Sequence, residues 1–460
     1  MAATFPLAMT AHAESNDWID LFDGHSLAGW RPSENKSSWS VVDGKLSANG
    51  PRSHLFYNGP IHGADFKNFE LMVDLTTRPG CNSGVYFHTA YQETGFPEKG
   101  FEVQVNNTAR GDGSYLERKK TGSLYGLRNM YKQLVPDEKP FRIRIAVRGK
   151  NVQIRLNDEL LVDYVEPTPP VIPAGGEKQR FLDHGTFALQ CHNDGSKATF
   201  RSVRVRPLPD DLPAYAGVPP VVDDVYREVI NIGRHNVPMV DYHAYLRPGL
   251  TLNQALEKSR ADGIQLGITA DTAHITSDAA AEQWLKPLAG KPVFFALSTA
   301  GGHLTHQLSK PVAQRFDYVL ADCRTNYGRS IDSLLEQTIS RFDSEPIDIY
   351  AYPTYLPPDM KSQGDQLWTE ARMAKLIDSL VRNQIAVELN STDLLPSRSF
   401  VLQAKAAGCK FALGTANETA ADLKRCEYGL QLIEDCQLTW QNFFAPGAWW
   451  PKAVDRRWNA

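Results

Sequence analysis

The sequence lacks the features that would assign it to several familiar classes. Its 49 Lys and Arg residues do not outnumber its 53 Asp and Glu residues, so a net charge of −4 provides no positive field for nucleic acid. No apolar run reaches the roughly 18–20 residues of a membrane-spanning helix. No strand–helix junction carries the GxGxxG pattern of dinucleotide binding. The cysteines of the second half show no CxxC spacing, which excludes the common zinc and redox motifs.

What is present fits two globular domains. A chain of 460 residues is too long for one ordinary domain, and its 42% hydrophobic content is enough for two cores. Residues 18–206 read as short runs of period two, separated by Gly, Asn, Asp and Pro, with no sustained helical period. About a dozen such strands predict an all-β jelly-roll sandwich. Trp39–Leu46 reads as one of these strands, and Asn157-Asp158 reads as a tight hairpin turn.

The pattern changes after a Pro-rich segment, residues 207–224, which we interpret as a linker. In residues 225–440, apolar strands alternate with amphipathic helices in about seven βα units. This pattern predicts a parallel, barrel-like α/β domain with any active site at the carboxyl ends of its strands. Residues 441–460 form an aromatic tail that we expect to pack back on the body. The sequence thus predicts a multi-domain chain, in which an all-β domain is followed by an α/β domain.

The first residues bear on the compartment. Ala11-His12-Ala13 has the small-x-small spacing of a signal-peptidase site, although a basic segment before the apolar stub is missing. We interpret residues 1–17 as the remnant of an export signal, which predicts a periplasmic or secreted protein; a disordered tail is the alternative. A disulfide between Cys81 and Cys191 would fit an oxidising compartment, and two buried free thiols fit equally well.

Three predicted strands each carry a polar face. In Phe101–Asn106, residues Glu102, Gln104 and Asn106 point away from the apolar side chains, and the same alternation governs Asn82–His88 and Leu189–His192. Amide, imidazole and phenol groups form hydrogen bonds with sugar hydroxyls and carbonyls. An ordinary hydrated sheet face is the alternative interpretation.

Ordered motifs in this half resemble the 3-keto-disaccharide hydrolase domain family, a concanavalin-like jelly roll. The motifs are Leu21–Leu27 with Gly29-Trp30, Trp39–Val41 with Asp43-Gly44, Asn68–Leu71, Gly80–Val85, Glu102–Gln104, Thr121–Gly126 and His192. The chain departs from the family at Pro140-Phe141-Arg142, where members often have Trp-Asn. The resemblance implies a substrate already oxidised at C3 of the sugar.

A C3 ketone acidifies the C2 proton, and loss of that proton can expel the leaving group at C1. Such a site needs a base, an acid and donors for the enolate oxygen. Glu102 and His192 are the candidates for the acid/base pair. The candidate substrate-binding residues are Asn82, Ser83, Tyr86, His88, Gln104, Asn106, Lys120 and Tyr125. A divalent ion on Glu102 and His192 would also stabilise an enolate, although no dense ligand cluster requires one.

The second half resembles the polymerase-and-histidinol-phosphatase superfamily, whose strand ends bind metals. The matching segments are Asp241–Tyr245, Gly267–Asp271, Ala351–Pro353, Val387–Asn390 and Leu413–Glu418. Tyr245, Tyr352 and the Ala416–Glu418 segment stand where the family has ligands. His243, Asp271 and Glu388 remain as weak metal candidates, so we expect a degenerate scaffold.

The leading hypothesis is an exported enzyme that cleaves 3-keto-glycosides by elimination or net hydrolysis. A separate sugar 3-dehydrogenase would have to supply the ketone, because the chain has no dinucleotide fingerprint of its own. The alternatives are a non-catalytic glycan-binding module and, less favoured, a metal-dependent phosphoesterase.

Overall fold

The computed structural model describes residues 17–111, 115–172, 179–213, 220–271, 273–299, 304, 307–324 and 330–458. The predicted export remnant therefore lies almost wholly outside the described residues, as do parts of the linker. Among the described residues, no helix is both long enough and apolar enough to cross a bilayer.

Within its described residues, the first half contains thirteen strands. They are β1 (Ile19–Asp20), β2 (Trp30–Pro32), β3 (Trp39–Val42), β4 (Lys45–Asn49), β5 (Ser53–Tyr57), β6 (Asn68–Thr77), β7 (Asn82–Thr89), β8 (Phe101–Asn106), β9 (Phe141–Arg148), β10 (Asn151–Leu156), β11 (Glu159–Val165), β12 (Thr186–Cys191) and β13 (Lys197–Leu208). Short 3-10 turns lie at Lys36–Ser38 and Ile61–Ala64.

The strands form two antiparallel sheets, and the predicted all-β sandwich is confirmed. One sheet has the order β11-β10-β9-β6-β13-β4-β3, with β1 paired to β13; the other has the order β2-β5-β12-β7-β8. Aromatic side chains of the two sheets meet in the core, where the rings of Phe69 and Phe187 lie 4.9 Å apart. Burial of this shared apolar surface holds the two sheets face to face.

Two local turns in the sandwich illustrate how the sequence sets the strand ends. Residues Asn157-Asp158 join β10 to β11, and Asn157 adopts a left-handed φ of 52°, as the hairpin prediction requires. The predicted single strand Trp39–Leu46 is wrong. Asp43 and Gly44 both have positive φ, which turns the chain between β3 and β4.

The two cysteines of the sandwich are free and buried. The Cys191 thiol donates to the Gly50 carbonyl oxygen at 3.2 Å. Of the two alternatives, the structure therefore has the buried thiols and not the disulfide.

The second half closes into a barrel of seven parallel strands. They are β14 (Val240–Ala244), β15 (Gln265–Asp271), β16 (Val293–Ser298), β17 (Tyr318–Asp322), β18 (Ile349–Ala351), β19 (Ala386–Asn390) and β20 (Phe411–Gly414). The predicted parallel barrel is confirmed, and β14 pairs with β20 to close it.

Helices of very unequal length accompany these strands. They are α1 (Asp224–Arg234), α2 (Leu252–Asp262), α3 (Asp278–Leu285), α4 (Lys310–Ala313), α5 (Ile331–Ser344), α6 (Pro358–Lys361), α7 (Glu370–Asn383), α8 (Arg398–Ala406), α9 (Glu427–Asp435) and α10 (Ala453–Arg456), with 3-10 turns at Lys286–Leu288, Gly364–Gln366 and Trp440–Asn442. Because α4 and α6 are only 4 residues long, the barrel departs from the seven regular βα units that the sequence predicts.

A long loop of the sandwich, residues 107–135, reaches the amino-terminal end of the barrel. The backbone N–H of Tyr131 donates to Gln265 Oε1 at 2.8 Å, at the first residue of β15. The Tyr131 hydroxyl donates to the Val237 carbonyl oxygen at 3.1 Å. The same loop borders the polar face of the five-stranded sheet, so it connects that face to the barrel.

Candidate active site on the five-stranded sheet

Strand register collects polar side chains on the outer face of the five-stranded sheet. The residues of this polar face are Glu102, Gln104 and Asn106 of β8, Asn82, Gly84 and Tyr86 of β7, Gln190 of β12 and His54 of β5. Residues between them, such as Val85 and Val103, point into the sandwich core. The period-two pattern of the sequence therefore identified this face correctly for β7 and β8.

Side-chain amides of this face are bonded to each other but keep spare acceptors. Gln104 Nε2 donates to Asn82 Oδ1 at 2.8 Å, and Gln190 Nε2 donates to the Tyr86 hydroxyl at 2.9 Å. Gln190 Oε1, Asn106 Oδ1 and His54 Nδ1 are buried and have no hydrogen-bond partner among the described residues. The two amide oxygens are acceptors, and buried acceptors need a donor such as a hydroxyl group.

Glu102 lies at one corner of the polar face, where its side chain is largely buried. Its carboxylate covers Gly84 on the neighbouring strand, because a Cβ at Gly84 would come 2.5 Å from Glu102 Oε1. The backbone carbonyl of Glu102 accepts a hydrogen bond from the Tyr125 N–H at 2.9 Å, which ties the 107–135 loop to β8. The absence of a side chain at Gly84 thus makes the space that this carboxylate occupies.

A second carboxylate, a lysine and two phenols form a cluster on the loop that is bonded to the Glu102 backbone. Glu117 Oε2 accepts from the hydroxyls of Tyr115 and Tyr125, each at 3.1 Å. Lys119 Nζ is fully buried, 3.8 Å from Glu117 Oε1 and 4.6 Å from the centre of the Tyr125 ring. This group forms a compact cluster of opposite charges with little access to water.

Burial controls the protonation of this cluster. It lowers the pKa of Lys119, an effect that the negative charges of Glu117 and Glu102 oppose. Burial, together with the charge of Glu117, raises the pKa of Tyr125 well above its usual range. The phenol of Tyr125 therefore stays protonated at neutral pH and acts as a donor.

His192 shares the face with Glu102 but lies at the opposite corner. Leu189 pairs with Val85, so continuing the register places His192 beside Asn82, two strands and four residues from Glu102. Strand spacing and rise put their Cα atoms about 17 Å apart. The expectation that these two groups converge is therefore corrected: His192 packs against Phe96, with ring centres 5.2 Å apart.

Three other predicted residues do not join the polar face. Ser83 points to the other side of β7, where its hydroxyl donates to the Gln190 carbonyl oxygen at 2.6 Å. His88 has a left-handed φ of 53°, which turns its ring onto Phe69 of the opposite sheet. Lys120 points to the junction with the barrel, where Nζ donates to the Ala109 carbonyl oxygen at 3.4 Å.

Sequence reasoning missed Glu117, Lys119 and His54. Glu117 and Lys119 stand in a loop without a regular period, so the pattern cannot reveal which of the adjacent lysines faces Glu102. His54 occupies a strand whose residues are all buried, and its position follows only from its pairing with Gln190. The Thr121–Gly126 motif was the nearest available signal for this loop.

The weak metal candidates of the barrel form a hydrogen-bonded pair instead of an open site. His243 Nδ1 lies 2.7 Å from Glu388 Oε1, and His243 Nε2 lies 3.0 Å from the Tyr245 hydroxyl. Glu388 Oε2 accepts from the Tyr352 N–H at 2.7 Å and from Asn390 Nδ2 at 3.1 Å. The side chain of the third candidate, Asp271, lies outside the described residues.

These contacts do not fit a resident divalent ion. The ring nitrogens of His243 and the carboxylate oxygens of Glu388 are all occupied by hydrogen bonds. The described residues contain no group of three or more His, Cys, Asp or Glu side chains placed to bind a metal. The distance between Glu102 and His192 likewise keeps them from sharing one ion.

Comparisons with known proteins confirm the resemblance of the first half. Residues 17–206 match the family described as the 3-keto-alpha-glucoside-1,2-lyase-like domain. A 3-keto-disaccharide hydrolase of Bacteroides thetaiotaomicron is 26% identical over an alignment of 173 residues, and the match covers 33% of this chain and 59% of that relative. The match thus spans less than two thirds of the relative's length.

Solved structures also align with part of this chain. A putative glycosyl hydrolase from Parabacteroides distasonis is 22% identical, with a TM-score of 0.36, and the alignment covers 42% of this chain and 94% of that one. The carbohydrate binding module CBM66 from Bacillus subtilis is 14% identical, with a TM-score of 0.25, and the alignment covers 39% of this chain and 95% of that one.

Proposed function

We propose that the sandwich domain cleaves the glycosidic bond of 3-keto-glycosides, with Glu102 as the proton acceptor. The match of residues 17–206 to a 3-keto-alpha-glucoside-1,2-lyase-like domain supports this substrate class. A relative named as a 3-keto-disaccharide hydrolase supports it further. The observation that carries the proposal is the largely buried Glu102 carboxylate, which lies over Gly84 on the polar face and belongs to a residue whose backbone is bonded to the loop that carries Lys119 and Tyr125.

The reaction balances without an external oxidant. Glu102 accepts the proton from C2 of the 3-keto sugar, and the electron pair forms the C1=C2 double bond as the C1–O bond breaks. The departing alkoxide takes up the proton from Glu102 and leaves as an alcohol. Addition of water across the double bond then gives the free 3-keto sugar, so elimination alone is a lyase reaction and both steps are net hydrolysis.

The residues around Glu102 match the needs of this path. Lys119 provides positive charge for the enolate oxygen in a site with little water, where such a group acts most strongly. Glu117, which accepts from the hydroxyls of Tyr115 and Tyr125, holds Lys119 in this place. The amides of Gln104, Asn82, Gln190 and Asn106 bind hydroxyls of the sugar. We assign His192 to the far end of the bound glycoside, since it lies too far from Glu102 to act on the same bond.

Aglycone release tests the proposal. The purified full-length protein should release the aglycone from a 3-keto-glucoside and not from the parent glucoside, and Glu102→Gln should abolish turnover. Glu138→Gln is the matched control, since Glu138 is exposed and paired with Arg78 on the surface. Equal rates on the two substrates, or an active Glu102→Gln variant, would overturn it.

Product analysis in D2O separates elimination from direct hydrolysis. Elimination followed by addition of water places deuterium at C2 of the product, and an enone should be visible by NMR before water adds. Direct displacement at C1 leaves the C2 proton in place.

A glycan-binding module is the second candidate function. The buried acceptors Gln190 Oε1 and Asn106 Oδ1 would bind sugar hydroxyls whether or not a bond is broken. Binding of the 3-keto-glucoside by the wild-type protein without any turnover would favour this candidate. The hydrogen-bonded His243–Glu388 pair provides no support for the phosphoesterase alternative.

Two further parts of the proposal concern the source of the 3-keto substrate and the compartment of the enzyme. The ketone must come from oxidation of the C3 hydroxyl by a separate dehydrogenase. Export to the periplasm or out of the cell stays a prediction, which tagging and fractionation of the full-length protein would test.

A further inference from the structure

A cavity of about 450 Å³ lies at the junction of the sandwich and the barrel. The 107–135 loop provides one wall, the amino-terminal end of the barrel provides another, and residues 445–452 close it. The volume lies in the range of pockets that bind small molecules. This junction cavity is separate from the polar face that carries Glu102.

Arg118 is the most unusual residue of the junction cavity. Its side chain is buried, with 4% of its surface exposed. Nη2 donates to the Phe443 carbonyl oxygen at 2.9 Å, while Nε and Nη1 have no hydrogen-bond partner among the described residues. The guanidinium faces the Trp449 ring at 5.4 Å, and within the described part of the chain no carboxylate lies near enough to form an ion pair.

A buried cation without a counter-charge is costly for a protein. Removing an ion from water is strongly unfavourable unless a partner of opposite charge and hydrogen bonds compensate. Burial lowers the pKa of Arg118 to about 10, so the group remains charged at neutral pH. Stacking on a tryptophan offsets only part of this cost.

The remaining lining adds positive charge. The cationic residues of the cavity are Arg110, Arg118, Lys120, Lys132 and Lys452, against the two carboxylates Glu117 and Asp317. Asp317 is engaged by Lys132 at 2.7 Å, and Glu117 is engaged by the two phenols and Lys119. Lys120 has a long hydrogen bond to a backbone carbonyl, so the cavity keeps an excess of positive charge.

We propose that the junction cavity binds a small oxyanion, the phosphate or carboxylate group of a molecule of about sugar size. A flat guanidinium with two spare N–H edges matches the oxygen atoms of either group. Lys120 provides a second positive charge, two residues further along the same loop.

The loop also links this cavity to the candidate active site. Arg118 and Lys120 line the junction cavity, Lys119 lies in the cluster on the side of Glu102, and Glu117 borders the cavity while it also contacts Lys119. An anion bound to Arg118 would hold the segment that also holds Lys119. Binding of an anion in the junction cavity would therefore restrict the motion of Lys119 in the candidate active site.

Calorimetric titration of the full-length protein tests the proposal. The titrants are inorganic phosphate, acetate, glucose 6-phosphate and gluconate, each at an ionic strength fixed with NaCl. We expect one saturable site, weakened at least tenfold in Arg118→Met and also weakened in Lys120→Met. Arg315→Met is the control, since Arg315 is exposed and paired with Glu282 on the surface. A preference for the phosphates or for the carboxylates identifies the source of the oxyanion.

Thermal unfolding provides a second readout that does not depend on the titration. In anion-free buffer, Arg118→Met should unfold at the same temperature as the wild type or higher, because an unpaired buried charge is removed. Phosphate or gluconate should raise the wild-type midpoint but not that of Arg118→Met. Absence of saturable binding for all four titrants, or binding that is unchanged in both variants, would overturn the proposal. If Arg118→Met does not fold, Lys120→Met decides the matter, since Lys120 is only half-buried.

Discussion

The carboxylate of Glu102 lies over Gly84 of the neighbouring strand, where even a methyl group would come within 2.5 Å of Oε1. Gly84 is therefore part of the proposed catalytic arrangement without carrying a side chain. Its backbone φ is in an ordinary range, so the requirement for glycine comes from space and not from backbone strain.

Gly84→Ala should reduce activity and leave the fold intact. The methyl group displaces the Glu102 carboxylate from the position in which it can reach C2, and we expect a loss in kcat/KM of about tenfold or more, which is about 1.4 kcal/mol of transition-state stabilisation. The measurement is aglycone release from a 3-keto-glucoside, together with the midpoint of thermal unfolding. Gly195→Ala is the control, because a Cβ there finds its nearest neighbour at 3.7 Å on an exposed loop. An unaltered kcat/KM would show that the position of Glu102 is immaterial.

Stability should fall as the pH is lowered from about 6.5 to 4, and His88 should contribute to this fall. Burial lowers the pKa of His88 to about 4, against about 6.5 in an unfolded chain. Between these values the unfolded chain binds a proton that the folded protein does not, so stability is complete above the unfolded pKa and is lost toward the folded pKa. The contribution of His88 reaches about 3 kcal/mol at pH 4.

His88→Asn isolates this effect, since asparagine tolerates the left-handed φ of this position. The free energy of unfolding, measured by denaturant at several pH values, should depend less steeply on pH than in the wild type. The exposed His25 provides the control variant His25→Asn. An equal slope in His88→Asn and the wild type would contradict the assignment.

The barrel pair His243–Glu388 should behave as a buried hydrogen-bonded pair. Leucine at either position leaves the other group buried without its partner, and each single variant should lose about 1–3 kcal/mol of stability. The double variant should lose less than the sum, since both polar groups are then replaced by apolar ones. Denaturant unfolding of the four proteins measures the coupling. Additive losses of stability in the double variant would contradict this pairing. A chelator that lowers the unfolding midpoint of the wild type would also contradict it, because it would indicate a bound metal.

Period-two patterning predicts much of the candidate site, because the faces of a strand depend only on local alternation. Glu102, Gln104 and Asn82 share a face for this reason. The same logic fails at His88, where a positive φ and a register shift near Thr186 interrupt the alternation.

Long-range contacts determine the side-chain positions that the period-two pattern does not predict. Lys119 faces Glu117 and Lys120 faces the junction because the loop packs against both halves at once, which no local signal reveals. The distance between Glu102 and His192 likewise follows from strand order, since β7 lies between β8 and β12. In the barrel, the apolar runs predict seven strands, whereas helix length depends on how each connection packs.

We expect the side chain of Gln265 to stabilise the junction between the two halves. Its Oε1 accepts the N–H groups of Tyr131 at 2.8 Å and Lys132 at 3.2 Å, and its Nε2 donates to the Pro292 carbonyl oxygen at 2.9 Å. Gln265→Leu leaves these buried backbone groups without a partner, and each such group costs about 1–3 kcal/mol.

We therefore expect Gln265→Leu to lower the unfolding midpoint clearly, whereas Gln337→Leu should have little effect, since Gln337 is exposed and bonds only to Ser333 on its own helix. Amide hydrogen exchange provides the decisive measurement. The N–H groups of Tyr131 and Lys132 should exchange faster in Gln265→Leu, while those of β8 should keep their protection, because β8 is held by its own sheet. Unchanged exchange at Tyr131 would mean that the loop is held at the barrel by its other contacts, such as the hydrogen bond from the Tyr131 hydroxyl to Val237.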